Sequence, residues 1–474
     1  MEAGDYASQH FEFAKECLAE LDAQLHALGA SLHVVAGEVV ATFAALHLLR
    51  PIATIWSHEE TGNAVTYARD IAVGAWAGAQ NVKWTETPQF GVVRKLGSRN
   101  GWATRWERHM RAEQFAPPTQ IPAAQIWPNL NNISQNKPFP EPDKPKRQRG
   151  GRTLALRALE SFLTTRGLTY QRGMSSPNTA LQVCSRLSPY LAMGVLSMRE
   201  TTQRLHIEQA RSDKAPGFGA SLRSFEGRLH WHCHFIQKLE SEPAIEFHAM
   251  MRALDRVRPI TLDSEAIKRL RAWESGMTGY PLIDACMRSL NATGWLTFRM
   301  RAMVTSFAAY NLWLDWRHFA HYLARAFLDY EPGIHYSQLQ MQSGVTGINA
   351  LRIYNPIKQA QEHDEDGVFV KRWCPELKNV PAAQIYTPWE LSVEEQTAFN
   401  VRIGINYPAP IVDWVTSYRA AREHFGALRR SAEVKNEAGE VVKKHGSRKS
   451  GMRITGTRVA KRREKPESGQ KSLF

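Results

Sequence analysis

Two arginines, Arg299 and Arg301, lie in a segment whose other side chains are mostly large and apolar. Between Trp295 and Trp316, apolar residues occupy nearly every face of a predicted helix, which is typical of a helix buried inside a large helical domain. A buried guanidinium needs a carboxylate or phosphate partner, because an unpaired one costs about 3 to 5 kcal/mol. The pattern therefore predicts a bound anion nearby, and an arginine that reaches the surface along its apolar stem is the alternative.

A second candidate site for an anion is the sequence CSRLSPYL at residues 184–191. Ser188 is a favourable N-cap and Pro189 a favourable first helical residue, so the free N–H groups of a helix would face whatever precedes it. A phosphate would fit there, with hydroxyl donors from Ser185 and Ser188 and positive charge from Arg186. A cap without any ligand is the common alternative for a Ser-Pro pair.

Residues that bind metals or form disulfides do not occur at productive spacings. His230 and His234 share a helix face, but a pair without a third ligand more often packs or forms hydrogen bonds. The five cysteines stand far apart, which argues against a structural zinc site and against a disulfide framework. We therefore expect no metal site and a reducing compartment.

The charge of the chain indicates a polyanionic partner. The 474 residues carry a formal net charge of +14, for which DNA is the expected partner. Residues 434–474 hold 12 Lys and Arg against 4 Asp and Glu, so residues 431–474 are predicted to form a disordered basic tail that binds nucleic acid or only aids solubility. No apolar run reaches membrane-spanning length and no signal peptide opens the chain, so we expect a soluble, intracellular, cytoplasmic monomer without a membrane partner.

The residues before 114 alternate between predicted helices and strands. Helices are predicted at 10–28, 38–49 and 63–79, and strands at 31–35, 52–56 and 82–85. This alternation predicts a parallel sheet with crossover helices. The sequence HEETGN at 58–63 follows the second strand at the edge where such sheets bind ligands, or it is only a helix-capping turn.

A proline-rich segment separates this α/β region from the rest of the chain. Eight of the 24 prolines fall between Pro117 and Pro145, which predicts a semi-rigid linker. The predicted organisation is an α/β domain at 1–113, the linker at 114–150, a helical domain at 151–430 and the basic tail at 431–474.

Six sequence blocks between about residues 150 and 430 resemble a known family. The longest are WESGMTGYPLIDACMRSLNATGW at 273–295 and RMRAMVTSFAAYNLWLDW at 299–316, and the others are SRLSPYLAMGVLS at 185–197, RIYNPIKQ at 352–359, RWCPEL at 372–377 and YPAPIVD at 407–413. Together they resemble the FAD-binding helical domain of the photolyase and cryptochrome family. The resemblance implies an α/β amino-terminal parallel-sheet domain followed by an all-α FAD-binding domain. Because the family's sheet opens with an extra strand that is not found here, the first strand is expected to be missing.

The resemblance also implies a role for individual residues. Residues 170 and 184–188 would hold the FAD phosphates, Arg301 would lie near Asp329, and His335 would face flavin N5 unless a two-residue gap places Gly333 there. The implied cofactor-binding residues are Tyr170, Cys184, Ser185, Arg186, Leu187, Ser188, Arg228, Arg301, Asp329, Glu331 and His335. Trp231 matches a substrate-facing Trp and Trp316 the middle member of a three-Trp electron relay, so both would be catalytic. Whether the α/β domain holds an antenna chromophore stays open.

Departures from the family's pattern bear on the expected function. Arg228 stands where repair enzymes usually have Glu or Gln, and Phe298 where they usually have Asn. Asp263 occupies the outer relay position, and Leu339 or Ser337 the inner one. We expect an FAD flavoprotein with blue-light-driven electron transfer and a lyase activity of the photolyase type on pyrimidine lesions in DNA, through an atypical pocket. A blue-light sensor without repair activity is the alternative, and a nucleic-acid-binding protein that has lost FAD is disfavoured because the cofactor-binding residues persist.

Overall fold

The structure, a computed structural model, describes residues 4–35, 37–122 and 139–447. Its amino-terminal part contains the helices α1 (Ser8–Ala27), α2 (Val39–Leu49), α3 (Ala64–Ala79) and α4 (Trp102–Arg111) and the strands β1 (Thr54–His58) and β2 (Lys83–Thr87). The two strands pair in parallel, from Thr54 beside Lys83 to His58 beside Thr87, and α3 connects them. The predicted α/β amino-terminal domain is confirmed.

The sheet is smaller than the sequence pattern predicts. Within the described ranges it has two strands, β1 and β2. The strand predicted at 31–35 is wrong, because these residues are irregular. The backbone N–H of Leu32 donates to Asp22 Oδ1 at 2.9 Å, so the segment is tied to α1 and not to a neighbouring strand.

The rest of the described chain, in the ranges 139–447, is helical, as predicted. Its helices are α5 (Arg152–Thr164), α6 (Tyr170–Gly173), α7 (Ala180–Val183), α8 (Ser188–Ala192), α9 (Met198–Ala210), α10 (Phe218–Ser241), α11 (Ser264–Ser275), α12 (Pro281–Thr293), α13 (Phe298–Ser306), α14 (Trp316–Ala326), α15 (Pro332–Gln342), α16 (Pro356–His363), α17 (Val368–Trp373), α18 (Val393–Ala398), α19 (Trp414–Arg430) and α20 (Ala432–His445). Short 3₁₀ helices lie at Arg166–Thr169, Pro243–Glu246, Arg252–Leu254, Pro375–Leu377 and Pro388–Glu390, and a π-helical turn spans Phe307–Asn311. Among these helices, none combines the length and the apolar character that a membrane span requires.

A buried carboxylate fastens the start of α12. Pro281 opens this helix and Gly294, at φ 71°, follows its end, as the sequence predicts. Asp284 is fully buried and accepts hydrogen bonds from the backbone and hydroxyl of Thr278, from Gly279 N and from Tyr407 Oη, at 2.6 to 3.0 Å. These four donors satisfy a charge that would otherwise be costly to bury.

The helix predicted from Trp295 to Trp316 is shorter than expected: it begins at Phe298 and ends at Asn311, and the next helix, α14, begins at Trp316. Thr297 caps α13, and the π-helical turn follows it. Trp313 then has φ 54°, a left-handed conformation that ends the helical run, and the Asp315 side chain caps α14. The interruption allows the chain to change direction while its apolar side chains stay in the core.

The carboxyl-terminal tail is folded where it begins. Residues 432–445, predicted to be disordered, form α20, and its Val434 and Val441 are buried. The Glu437 carboxylate accepts hydrogen bonds from the backbone N–H groups of Arg252 and Ala253 at 2.6 and 2.9 Å. The prediction of disorder is wrong for this stretch, because its valines and its carboxylate find partners on the helical domain. Residues 448–474 of the tail and 123–138 of the linker lie outside the described residues.

Candidate functional site

The loop at residues 184–188 is held in place by donors from other segments. Arg166 Nη1 donates to the carbonyl of Cys184 at 2.6 Å, and Arg166 Nη2 donates to the carbonyl of Ser185 at 3.3 Å. Gln148 Nε2 donates to the carbonyl of Arg186 at 2.8 Å. Arg186 itself has φ 62°, a left-handed conformation that costs a non-glycine residue about 1 to 3 kcal/mol. The surrounding contacts therefore fix a strained loop, as is typical of ligand-binding segments.

The side chain of Arg186 is a partly buried cation whose Nη1 atom lacks a hydrogen-bond acceptor in the described structure. Its guanidinium carbon lies 3.9 Å from the centre of the Trp295 ring. Its Nη1 is buried and has no hydrogen-bond partner in the described part of the chain. Burial lowers the pKa of Arg186 to about 10, and Asp329 opposes this effect, so the group stays charged at neutral pH. An anion placed against Nη1 would supply the missing acceptor.

The sequence prediction about Ser188 requires a correction. Ser188 is the first residue of α8, whose cap position is Leu187, and no side chain caps the helix. Leu187 already has helical backbone angles, φ −92° and ψ −13°, whereas a capping serine needs an extended backbone. The Ser188 hydroxyl instead hydrogen-bonds the Asp329 carboxylate and helps to lower its pKa. The prediction that Ser188 caps this helix is therefore wrong, whereas the prediction of a phosphate beside residues 184–188 stays a prediction.

The predicted neighbour of Arg301 is confirmed by geometry. Arg301 Nη1 and Nη2 donate to the two oxygens of Asp329, each at 2.9 Å, and Nε donates to the carbonyl of Leu296 at 3.0 Å. Burial raises the pKa of Asp329, but Arg301, Ser188 and Arg186 outweigh it and hold the pKa below its usual value. Asp329 is therefore the acidic partner that was predicted for Arg301, a charged residue in an apolar segment. Its neighbour on α13, Arg299, lies over the Tyr354 ring.

The remaining predicted phosphate-binding residues are neutral, and the nearby positive charge comes from Arg166, Arg186 and Arg228. Burial raises the pKa of the Cys184 thiol to about 11, although Arg186, Arg166 and Arg228 each oppose the rise. Tyr170 is buried edge-on to Phe162 and Phe225, and burial raises its pKa to about 12. Leu187 is buried in the core beneath the loop. The guanidinium groups outnumber the one carboxylate, Asp329, that acts on Arg186.

These groups fit the diphosphate of FAD, the cofactor that the sequence resemblance implies. Arg186 Nη1 and His232 Nδ1 are both buried and lack hydrogen-bond partners among the described atoms. Burial lowers the pKa of His232 to about 4, although the Asp329 carboxylate opposes this effect, so the imidazole is neutral. The guanidinium groups carry more positive charge than Asp329 can balance, and two buried polar atoms lack hydrogen-bond partners. Both features suit an anionic ligand that also forms hydrogen bonds.

Glu331 and His335 belong to a second cluster. His335 Nε2 lies 2.9 Å from the carbonyl of Ala320, and its ring contacts Tyr330 and Tyr336 edge-on. Burial raises the pKa of Glu331 to about 8 and lowers that of His335 to about 4, so both are neutral at pH 7. The structure does not bring either residue into direct contact with the Arg186 loop. Their assignment to the flavin stays a prediction.

The alternative position, Gly333, has a structural role of its own. A Cβ atom at Gly333 would lie 2.5 Å from the Cα atom of Ile236, so a side chain there would force α15 away from α10. Only glycine permits this close approach of the two helices.

The two predicted catalytic tryptophans have different environments. Trp231 on α10 is 37% exposed and lies beside Phe235, with ring centres 5.4 Å apart. Trp316 is fully buried and its ring stands edge-on to Tyr336 at 6.1 Å. Arg228 lies one turn before Trp231 and contacts the sulfur of Met174.

Sequence reasoning missed three residues of this site. Arg166 fixes the 184–188 loop, Trp295 stacks on Arg186, and His232 adds an unsatisfied nitrogen. The only available signal was Trp295, which follows the helix-ending Gly294 at the start of the predicted buried segment. The sequence around Arg166 gives no signal of its role, because Arg166 binds carbonyl groups about eighteen residues further along the chain.

Comparisons with known proteins recognise the domain that contains the Arg301–Asp329 pair. A family model described as the FAD binding domain of DNA photolyase matches residues 225–427. Cryptochrome DASH of Gloeobacter violaceus is 32% identical over 316 residues, which cover 64% of this chain and 61% of that protein. A deoxyribodipyrimidine photo-lyase of Streptomyces griseus is 28% identical over 436 residues, 87% of this chain and 88% of its own length. The match therefore spans only about three fifths of the Gloeobacter protein.

Solved structures with the same fold belong to the same group of proteins. A bacterial class III photolyase from Agrobacterium tumefaciens superimposes with a TM-score of 0.77 at 24% identity, over 90% of this chain and 89% of its own. A cryptochrome from Synechocystis gives a TM-score of 0.75 at 24% identity, over 88% of each chain. These findings show that residues 225–427 match the FAD binding domain of DNA photolyase and that the chain has the fold of photolyases and cryptochromes.

Proposed function

We propose that this protein is a photolyase-type lyase that acts on pyrimidine lesions in DNA through an atypical pocket. Bound FAD supplies blue-light absorption and the transfer of one electron. The observation that carries the proposal is the arrangement on α10, where Trp231 is exposed and its neighbour His232 has a buried Nδ1 without a hydrogen-bond partner in the described structure and feels the charge of Asp329. In this proposal α10 lies between the flavin site and the surface that would receive a base flipped out of the DNA.

The chain's own residues define what this pocket would accept. Trp231 offers an exposed aromatic face for stacking and packs against the buried ring of Phe235, and the net charge of +14 would attract the DNA backbone. Arg228 presents only hydrogen-bond donors, and the exposed ring of Phe298 presents no hydrogen-bonding group at all. A pocket with this pattern favours a lesion rich in acceptors. It is a poor match for the usual cyclobutane dimer.

Reversal of cyclobutane dimers is expected to be weak, and binding of a preferred lesion should depend on Trp231. Replacing Trp231 with alanine should weaken lesion binding by about 1 to 3 kcal/mol, the usual contribution of one stacking platform. The measurement is illuminated turnover by the chemically reduced protein on single and double strands with and without lesions. Phe115→Ala, which removes another exposed ring, is the matched control.

The same assay separates the alternatives. Efficient dimer reversal that Trp231→Ala abolishes would contradict the atypical pocket and indicate an ordinary photolyase. Absence of turnover on every pyrimidine lesion, with flavin photoreduction intact, would favour the second candidate, a blue-light sensor. The sensor candidate is favoured by Arg228 and Phe298, because both differ from the residues that repair enzymes usually have at these positions.

Replacing Trp316 with phenylalanine should slow light-driven flavin reduction by about tenfold or more. Trp316 is buried against Tyr336, and phenylalanine fills a similar space without an accessible radical cation. The outer relay position is Asp263, which caps α11, so the route from Trp316 to solvent must use other rings such as Tyr336 and Tyr330. Transient absorption after a laser flash measures the rate, with Trp389→Phe as control. An unchanged rate in Trp316→Phe would remove Trp316 from the route.

A further inference from the structure

A hydrogen-bonded pair of an acid and a tyrosine joins the amino-terminal segment to the helical domain. Asp5, in the segment before α1, and Tyr330, just before α15, are 1% and 5% exposed. The Tyr330 hydroxyl donates to Asp5 Oδ2, and Asn63 Nδ2 donates to the same oxygen at 2.8 Å. Asp5 Oδ1 is buried and has no hydrogen-bond partner in the described part of the chain. One oxygen of this buried carboxylate is therefore open.

A series of ring contacts connects this pair to Trp316. The Trp316 ring stands edge-on to Tyr336 at 6.1 Å. The His335 ring contacts Tyr336 at 5.3 Å and Tyr330 at 5.1 Å, between ring centres. Burial raises the pKa of Tyr336, and a hydrogen bond with the Tyr330 side chain opposes the rise, so the two tyrosines also interact directly. The pair thus lies at the end of a continuous aromatic path from Trp316.

The other titratable neighbours of Tyr330 are poor proton acceptors. Burial raises the pKa of Glu331 to about 8, so this carboxyl group already carries a proton at pH 7. Burial lowers the pKa of His335 to about 4, and its Nε2 is engaged by the carbonyl of Ala320 at 2.9 Å. Asp5 is therefore the base to which the Tyr330 hydroxyl is hydrogen-bonded.

The burial of Tyr330 determines how it could lose an electron. Burial, and then the neighbouring Tyr336 and Asp5, hold the pKa of Tyr330 well above its usual value, so its phenol is neutral. A tyrosine that lost an electron and kept its proton would leave a positive charge in an apolar interior, which is costly. Loss of the electron together with the proton leaves a neutral radical. This chemistry requires a base at the phenol oxygen, which is where Asp5 lies.

We infer that Tyr330 supplies the electron that refills Trp316 and that Asp5 accepts its proton. The inference rests on the proposed function, because Trp316 must first lose one electron to the light-excited flavin. Trp316 then regains one electron from Tyr330 by way of Tyr336, and the phenolic proton moves along the hydrogen bond to Asp5 Oδ2. The products are a restored Trp316, a neutral tyrosyl radical and a protonated Asp5, so electrons, protons and charge balance.

The first test identifies the radical in the FAD-loaded protein. After illumination and rapid freezing, the electron paramagnetic resonance spectrum of wild type should contain a tyrosyl radical. Trp316→Phe and Tyr330→Phe should each lose this signal, because one removes the path and the other the donor. Flavin absorbance and thermal unfolding of the FAD-free protein establish that each variant is loaded and folded.

The second test separates a proton acceptor from a structural tie. Asp5→Asn keeps the size of the side chain and an oxygen that accepts the Tyr330 hydrogen bond, but its amide cannot take the proton. The tyrosyl radical should therefore form about 100-fold or more slowly, the usual contribution of a general base. Asp5→Glu, which restores a carboxylate, should recover part of the rate. In wild type the radical should form more slowly in D₂O than in H₂O, an effect that a purely structural hydrogen bond does not produce.

The matched control is a second tyrosine–aspartate pair in the same domain. Tyr407 donates to Asp284 Oδ2 at 2.8 Å, and both side chains are buried. Tyr407 takes part in none of the ring contacts between Trp316 and Tyr330. Tyr407→Phe should therefore give the wild-type radical at the wild-type rate.

The outcomes distinguish this inference from the function on which it rests. If flavin reduction proceeds but wild type gives no tyrosyl signal, or if Asp5→Asn forms the radical as fast as wild type, the inference is overturned and the proposed function stands. If illumination reduces no flavin even in wild type, both are overturned.

Discussion

Replacing Arg301 with leucine should destabilise the helical domain by about 3 to 5 kcal/mol and abolish FAD binding, because it leaves a buried carboxylate without its partner. Both nitrogens of the Arg301 fork bind Asp329 at 2.9 Å, and only 4% of the Asp329 side chain is exposed. Asp329 also receives the Ser188 hydroxyl, so loss of the pair disturbs the loop that borders the flavin. Urea unfolding of the FAD-free protein measures the free-energy change.

The control for this experiment is a second ion pair of the same domain. Arg325 binds Glu141 at 2.8 Å, but 44% of its side chain is exposed, so Arg325→Leu should cost only about 0 to 1 kcal/mol. Similar free energies of unfolding for the Arg301 and Arg325 variants would show that the Arg301–Asp329 pair contributes little.

The contribution of this pair should also depend on pH, with a defined sign. Burial raises the pKa of Asp329, but Arg301, Ser188 and Arg186 hold it below its usual value. A carboxyl group with a lowered native pKa stabilises the fold above its unfolded pKa of about 4, and this contribution is lost as the pH falls through the native pKa. Acidification below about pH 4 should therefore cost the wild type more stability than Arg301→Leu.

Replacing Arg186 with methionine should weaken FAD binding by about 10- to 100-fold, whereas the FAD-free protein should lose only about 0.5 to 2 kcal/mol of stability, the usual contribution of a cation–π contact such as that with Trp295. Nη1 of Arg186 lacks a partner in the described structure, so its removal breaks no hydrogen bond there, whereas a charge-assisted bond to a phosphate is worth about 1.5 to 3 kcal/mol. Methionine keeps a Cβ atom, so the strain at φ 62° is unchanged. The comparison therefore separates ligand binding from folding.

Two measurements on one preparation decide this prediction. FAD affinity is read by flavin fluorescence, and stability by thermal unfolding without flavin. Arg172→Met, which changes an exposed arginine of α6, should leave both values near wild type. If Arg186→Met lowers stability and leaves FAD affinity unchanged, Arg186 is a structural residue and not a ligand.

The sequence predicted the Arg301–Asp329 pair but not the geometry of the neighbouring loop. A charged residue among apolar ones is a local signal, because burial makes a partner obligatory. The backbone of Leu187 is different, since it is set by the donors Arg166 and Gln148, which lie on separate segments. The Ser-Pro pair therefore predicted a helix capped by Ser188, whereas contacts with distant segments give the loop a different backbone conformation.

Arg258 illustrates the same limit in the core. It is 2% exposed and lies 5.1 Å from the centres of the Tyr310, Trp313 and Phe425 rings. Its Nε donates to the carbonyl of Ala309 at 2.6 Å. Apolar residues such as Leu254 and Val257 are mixed with the charged Asp255 and Arg256 before position 258, so the local sequence does not single out Arg258 for burial. Three rings from distant segments create the site.

The amino-terminal domain shows how far an alternating pattern can be trusted. The helices at 39–49 and 64–79 and the strands at 54–58 and 83–87 lie within two residues of their predicted bounds. Residues 31–35 have the composition of a strand but no strand beside them, and Asp22 on α1 takes their backbone donor instead. A strand needs a partner as well as a pattern.

The flavin content of purified, FAD-reconstituted protein tests the central claim most directly. Absorbance should give about one FAD per chain for wild type, as expected for a single buried cofactor site. The double variant Ser188→Ala, Arg301→Leu should carry almost none. Full occupancy in that variant, or a folded wild-type protein that retains no FAD, would contradict the assignment of the Arg186 loop and the Arg301–Asp329 pair to the flavin.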